Sequence, residues 1–290
     1  MPLYPEFQRL YLPESELSHG PRCWLLLHEH GFVVRKTGEA ITLLDETADN
    51  NTSSGNSNNG AEKVRETFAA FTPRVLGHYN GATYLTCIVP SETELPEGWE
   101  VVELRKLYGL ISEVEWQVAG YASQVLHWEK TSGFCPVCGH TMGAVQKEWM
   151  RECPHCSHIR YPQVSPAVLM LVHDGADRVL LAHKAGWGDR YSILAGFVLP
   201  GESLEDCVTR EVEEEVGVQV TDLIYQGSQP WPFPHQLMVG FTARYVSGDI
   251  RIEEEELDHA AWFAASELPS LPPPLSLSRQ IIDRWQASIS

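Results

Sequence analysis

Between Gly196 and Val218 the chain reads GFVLPGESLEDCVTREVEEEVGV, and glutamate fills four of the five positions from Glu211 to Glu215. Side chains three and four apart on a helix are neighbours, and each like-charged pair costs roughly a few tenths of a kcal/mol. The rest of the stretch nevertheless demands a helix. Ser203 is placed to cap it, with Asp206 three residues on in a variant of the capping box. Leu204, Val208 and Val212 step by four along one face and need a sheet to pack against. Gly217 supplies the left-handed residue that ends the helix. The segment therefore commits the chain to an amphipathic helix over 203–216, apolar towards a sheet and lined with carboxylates elsewhere. Glu211 and Glu215 share a face, with Glu214 beside them. Acids held at self-repelling spacing point to divalent cations, which bind through oxygen ligands.

The charge distribution agrees. The formal net charge of the 290-residue chain is −18, and residues 201–260 hold 14 acidic against three basic side chains, a local net of −11. A broad basic face for duplex DNA is excluded by that balance. A stretch of about 18 apolar residues, as a membrane span needs, does not occur, and the first residues lack the basic start and apolar block of a signal peptide. The expected location is the cytoplasm.

Seven cysteines are present. Cys23, Cys87 and Cys207 stand alone in apolar surroundings; the other four form CPVC (Cys135, Cys138) and CPHC (Cys153, Cys156), fourteen residues apart. Paired Cys-x-x-Cys units at this spacing predict a structural Zn²⁺ site, one per chain. Four thiolates complete a tetrahedron and leave no open position for catalysis. His140, His155 and His158 are then spare, solvated or hydrogen-bonded behind the ligands.

The order of segments divides the chain into 1–130, an N-terminal mixed α/β domain, 131–162, the zinc ribbon, and 163–290, a second α/β domain. Residues 46–64 are rich in Asn, Ser, Thr and Gly and predict a floppy loop. Strand-like runs flank it at Cys23–Arg35 and Thr83–Val89, and apolar spacing predicts a helix over 101–128 that Gly109 weakens. Further on, two apolar runs bracket Asp174-Gly175 as a hairpin. Strands are expected at Tyr191–Leu199, Val218–Tyr225 and Leu237–Tyr245, and a last helix at Ser276–Ser288, after three prolines. No internal repeat is evident.

Written with its spacing, the acidic segment is Gly196-x5-Glu202-x7-Arg210-Glu211-Val212-x-Glu214-Glu215-x-Gly217-Val218. This resembles the Nudix box, and the resemblance implies an α/β/α sandwich with the glutamate helix at the mouth of a sheet. It also implies that Glu211, Glu214 and Glu215 bind two or three Mg²⁺ or Mn²⁺, with Glu202 in support and Glu215 often essential. Two or more such ions would activate water and stabilise the leaving oxygens of an in-line displacement on a diphosphate. Arg210 is suited to pair with a nearby carboxylate and fix its orientation. Which carboxylate acts as base is decided by geometry.

Downstream lies SQPWPFPHQLM, Ser228 to Met238. Pro230, Pro232 and Pro234 alternate with Trp231 and Phe233, which predicts a stiff, extended loop presenting flat rings for a base to stack on. In this position SQPWPFP resembles the NADH pyrophosphatase family of Nudix hydrolases, over roughly residues 100–290. That family carries a four-cysteine ribbon before its Nudix domain, cleaves NADH or NAD⁺ to nicotinamide mononucleotide and AMP, in some members removes the NAD cap from RNA 5′ ends, and forms homodimers. The resemblance implies a metal-binding role for Glu256 and for the carbonyl of Ala195, and ring stacking by Phe197. It implies substrate contacts at Arg105, Glu148, Tyr161 and Ser278, and along Gln229, Pro230, Trp231, Pro232, Phe233, Pro234, His235 and Gln236. Two departures bear on substrate choice: Gln236 stands where the family has serine, and Leu199 where it often has glutamate. The rival readings are a hydrolase of another nucleoside diphosphate, such as ADP-ribose, and a non-catalytic binding module built on the ribbon. The intact box weighs against the second.

Overall fold

A computed structural model describes residues 7–10, 21–29, 31–38, 40–45 and 73–289. The predicted 46–64 loop lies outside the described residues. The chain divides into two compact units, Pro2–Gln163 and Val164–Ser290.

The first unit is built on strands β1 (Gln8–Arg9), β2 (Arg22–His28), β3 (Gly31–Thr37), β4 (Ala40–Thr42), β5 (Leu44–Asp45), β6 (Arg74–Tyr79), β7 (Ala82–Val89) and β8 (Trp99–Glu103). Their order is β1-β6-β7-β2-β3-β4, with β5 on β2 and β8 on β3, and β2 runs parallel to β7. The helix expected over 101–128 is not continuous. Val101–Glu103 belong to β8, Leu104–Leu107 form one turn (α1), and α2 spans Glu113–Thr131. Gly109 has a φ of 79°, a left-handed turn no helix interior contains, and Ser112 with Glu115 forms the capping box that restarts the chain. The ribbon follows in the same unit, with the two-residue strands β9 (Arg151–Glu152) and β10 (Ile159–Arg160) paired antiparallel.

The second unit contains β11 (Ser165–His173), β12 (Arg178–His183), β13 (Leu194–Phe197), α3 (Leu204–Val216), β14 (Gln219–Trp231), β15 (Gln236–Ser247), β16 (His259–Ala264) and α4 (Leu277–Ile289). The sheet order is β14-β15-β11-β12-β16, with β13 on β11 and β15 parallel to β11. The central strand β11 is apolar on both faces because both are covered. Val168, Met170 and Val172 join Val208 and Val212 of α3 in one core, and Leu169 and Leu171 join Ile281, Ile282 and Trp285 of α4 in another. Each such side chain, fully buried, contributes about 1.5–3 kcal/mol. The result is an α/β/α sandwich with α3 fixed by its apolar stripe. Asp174 closes the predicted hairpin by accepting from the amides of Ala176 and Arg178.

The proline-rich stretch differs from expectation. It is not an extended loop: β14 runs on to Trp231, Pro232–His235 turn tightly, and β15 begins at Gln236. Pro230 is tolerated because β14 is an edge strand, where a missing amide donor costs no ladder bond. Among the described residues no helix is long and apolar enough to cross a membrane.

Candidate active site

The box is one connected structure. Ser203 and Asp206 cap α3 reciprocally, and Gly217, at a φ of 71°, closes it by donating its amide to the Glu213 carbonyl. The carboxylate face then turns towards β13. There Gly196 lies so close to Glu211 that a Cβ added to it would fall 1.8 Å from Cδ and 2.2 Å from Oε1 of that glutamate. Those atoms are the end of a flexible side chain, so a larger residue would displace the carboxylate and leave the fold standing. Gly196→Ala is expected to lower turnover about 10²-fold, the scale of a misplacement of about 1 Å, with unchanged circular dichroism. Wild-type turnover in that variant would show that Glu211 need not occupy this cradle.

Arg210 organises the acids. Its Nε and Nη2 fork both oxygens of Glu202, Nη1 donates to Glu211 (2.9 Å) and Glu214 (2.7 Å), and Nη2 also reaches the carbonyl of Phe197 at 3.0 Å. A planar guanidinium offers five donors in fixed directions, so it can orient three carboxylates together. Glu202 in turn accepts from the Leu199 amide at 2.9 Å, which pins the loop before the helix. Hydrogen bonding to Arg210, with that amide, holds the Glu202 carboxyl down to about 2, so it stays ionised.

Glu215 has the opposite surroundings. It is only 4% exposed and its Oε2 has no hydrogen-bond partner. Burial, with the charges of Glu211 and Glu256 nearby, pushes its carboxyl up to about 8. Burial likewise raises the Glu211 carboxyl, against the pull of Arg210. An orphaned buried oxygen beside further acids is the surrounding that a divalent cation would satisfy, so the residues present fit the metal the sequence implies.

Glu256 reaches this cluster because the acidic run docks on the end of α3. The amides of Arg251 and Glu253 donate to the carbonyls of Val216 and Glu215, at 2.9 and 3.0 Å. Lys184 joins the cluster without any motif to announce it. Its Nζ lies 3.6 Å from Glu256 Oε2, and its charge acts on Glu215. Lys184 follows β12, far from the box in sequence, and carries no motif of its own.

Ala195 and Phe197 lie on β13, both exposed, beside Gly196. Trp231 and Phe233 are half-buried and pack edge to face, ring centroids 5.1 Å apart, so they do not stand as two separate planes. Gln229 is buried; its amide donates to the Leu275 carbonyl and accepts from the Leu277 amide, clamping the start of α4 to β14. Ser278 is buried in the first turn of α4. His235 meets Ser165 at 3.3 Å. Pro230 and Pro234 are exposed, Pro232 is buried and Gln236 opens β15. In the other unit, Arg105 sits in α1, Glu148 in a short turn with left-handed backbone (φ 60°), and Tyr161 is exposed just after β10.

The four ribbon cysteines converge. Sγ of Cys135 lies 3.6 Å from that of Cys156, and Cys138 lies 3.5 Å from Cys153. Four thiolates at about 2.3 Å from one ion would be separated by about 3.8 Å, so the set fits tetrahedral Zn²⁺.

Fold and site together define a hydrolase of the Nudix class. Residues 164–286 match the NUDIX domain, 130–161 the NADH pyrophosphatase zinc ribbon domain, and 21–128 the NADH pyrophosphatase-like rudimentary NUDIX domain. The chain is 44% identical over 214 residues to the NAD-capped RNA hydrolase NudC of Pseudomonas aeruginosa, covering 73% of this chain and 76% of that protein. It is 41% identical over 205 residues to the NAD-capped RNA hydrolase NudC of Deinococcus radiodurans, covering 69% and 73%. The chain belongs to the NADH pyrophosphatase family of Nudix hydrolases.

Proposed function

We propose that this chain hydrolyses the diphosphate bond of NADH and NAD⁺ to nicotinamide mononucleotide and AMP, and by the same cleavage removes the NAD cap from RNA 5′ ends. The observation that carries the hydrolase reading is the buried carboxyl of Glu215, its Oε2 without a hydrogen-bond partner, beside Glu211 and Glu256. The kinship with NAD-capped RNA hydrolases and the SQPWPFP hairpin support the substrate. Two or three Mg²⁺ or Mn²⁺, when bound, would supply the charge that lets water approach a diphosphate. Glu211, Glu214, Glu215, Glu256 and the Ala195 carbonyl are the ligands in this reading. Arg210 keeps Glu211 and Glu214 oriented, and Glu202 keeps Arg210 in place. Phe197 offers a ring to the nicotinamide or adenine, and Trp231, Phe233, their hairpin and Ser278 add substrate contacts; Arg105, Glu148 and Tyr161 are the contacts that the family resemblance implies in the first unit. In this proposal the domains are 1–130, 131–162 and 163–290, and the protein acts as a cytoplasmic homodimer.

The test incubates purified protein, with Mg²⁺ or Mn²⁺, against NADH, NAD⁺, ADP-ribose and a short NAD-capped RNA in parallel. Release of AMP, or of RNA bearing a 5′ monophosphate, is expected. Faster cleavage of ADP-ribose would overturn the substrate assignment, and no cleavage of any of the four would overturn the hydrolase reading itself.

A further inference from the structure

The ribbon holds three histidines that zinc does not need. His140 follows the first knuckle and His155 lies within the second, and both are exposed. Their rings are nevertheless stacked, with centroids 3.7 Å apart and planes within 7° of parallel. No apolar core holds them there: the buried core of the ribbon is Cys135, Met142 and Cys153. Nδ1 of His140 lies 3.1 Å from the carbonyl oxygen of Cys138. A carbonyl only accepts, so Nδ1 carries the proton and the neutral ring keeps its lone pair on Nε2. Binding one ring nitrogen to a backbone carbonyl is how proteins commonly fix a metal-binding imidazole.

One ring nitrogen of His140, one of His155 and Sγ of Cys138 all lie within 4.8 Å of one another. Ligands at about 2.0–2.3 Å from a tetrahedral ion are separated by about 3.3–3.8 Å. Turning the two exposed rings out of their stack, so that their in-plane lone pairs converge, would bring the three together on one ion. Cys138 belongs to the four-cysteine set as well, and a thiolate sulfur has lone pairs enough to bridge two ions.

We propose that the ribbon carries a second metal site, formed by His140, His155 and the bridging thiolate of Cys138, for a borderline divalent transition ion such as Zn²⁺ or Co²⁺. Two imidazoles and a thiolate select such ions over Mg²⁺ and Mn²⁺. Three ligands at an exposed position leave a coordination place open, so the ion exchanges where the ribbon zinc does not.

The experiment titrates Co²⁺ into protein that retains its ribbon zinc, with excess Mg²⁺ to occupy the carboxylate site, and compares wild type with the H140A/H155A double variant. Zinc is measured in the same samples. Wild type is expected to take up one Co²⁺ more per chain than the variant, with near-ultraviolet absorption from cobalt bound to thiolate that the variant lacks. Should the double variant lose zinc, His155→Ala alone, which keeps the bond from His140 to Cys138, is expected to retain zinc and lose the additional Co²⁺. Equal uptake in wild type and variant, or an extra ion without the thiolate absorption, would overturn the site as drawn.

Discussion

Glu215→Gln is expected to abolish most turnover, by about 10²-fold or more, since losing even a hydrogen-bond partner of a metal ligand costs about 10–100-fold. The substitution is nearly isosteric, so zinc content, secondary structure and the packing of α3 should be unchanged. The reason lies in the residue's position: it is buried, its Oε2 is unpartnered, and Glu211 and Glu256 lie near it. Near-wild-type release of AMP would remove Glu215 from the metal-binding set. A second consequence follows for the metal-free protein. An unfolded glutamate titrates at about 4.3, whereas burial pushes Glu215 up to about 8 when folded. The folded state therefore holds the proton more tightly, and its stability falls as pH rises through that interval. Glutamine has no proton to lose. The melting temperature of metal-free Glu215→Gln should decline less than that of wild type between pH 5 and about 8; parallel declines would mean that Glu215 ionises as freely as in water.

Cys153→Ala is expected to empty the ribbon of zinc and to unfold it. Cys153 is fully buried, and its sulfur lies 3.5 Å from that of Cys138. Little else holds this segment: β9 and β10 are two residues each, and the buried core is two cysteines and Met142. Structural zinc contributes about 10–16 kcal/mol to folding in isolated zinc-finger peptides, far more than so small a core supplies. Zinc measured per chain should drop from one towards zero, and a protease should cut within 131–162 while sparing 164–290. A variant that kept its zinc would show that three thiolates suffice.

The acidic helix was legible down to its ends because every signal in it is local. Cap, apolar stripe and terminal glycine act within one or two turns, and α3 begins at Leu204 and ends at Val216 as those residues require. The cysteine pairs were legible for the same reason, since two knuckles at this spacing have few other uses. Local patterns mislead where they meet a competing one. Apolar spacing favoured one helix over 101–128, but Gly109 and the cap at Ser112 broke it, and β3 drew Trp99–Glu103 into its sheet. Alternating prolines favoured an extended loop, but pairing with β15 made Ser228–Trp231 a strand and forced the turn beyond it.

By itself, then, the sequence determined which helix carries the acids, which four cysteines gather in the zinc ribbon and to which enzyme class the chain belongs. Each of these depends on residues near one another along the backbone. Only the tertiary structure decided what surrounds the acids. It placed Gly196 against Glu211, docked Glu253 on the last turn of α3, and brought Lys184 to Glu256. It also buried one glutamate and left Glu214 half exposed. Desolvation and charge at a distance set the behaviour of a carboxylate, and both depend on what the sheet brings alongside. Neighbours in the sequence do not record that.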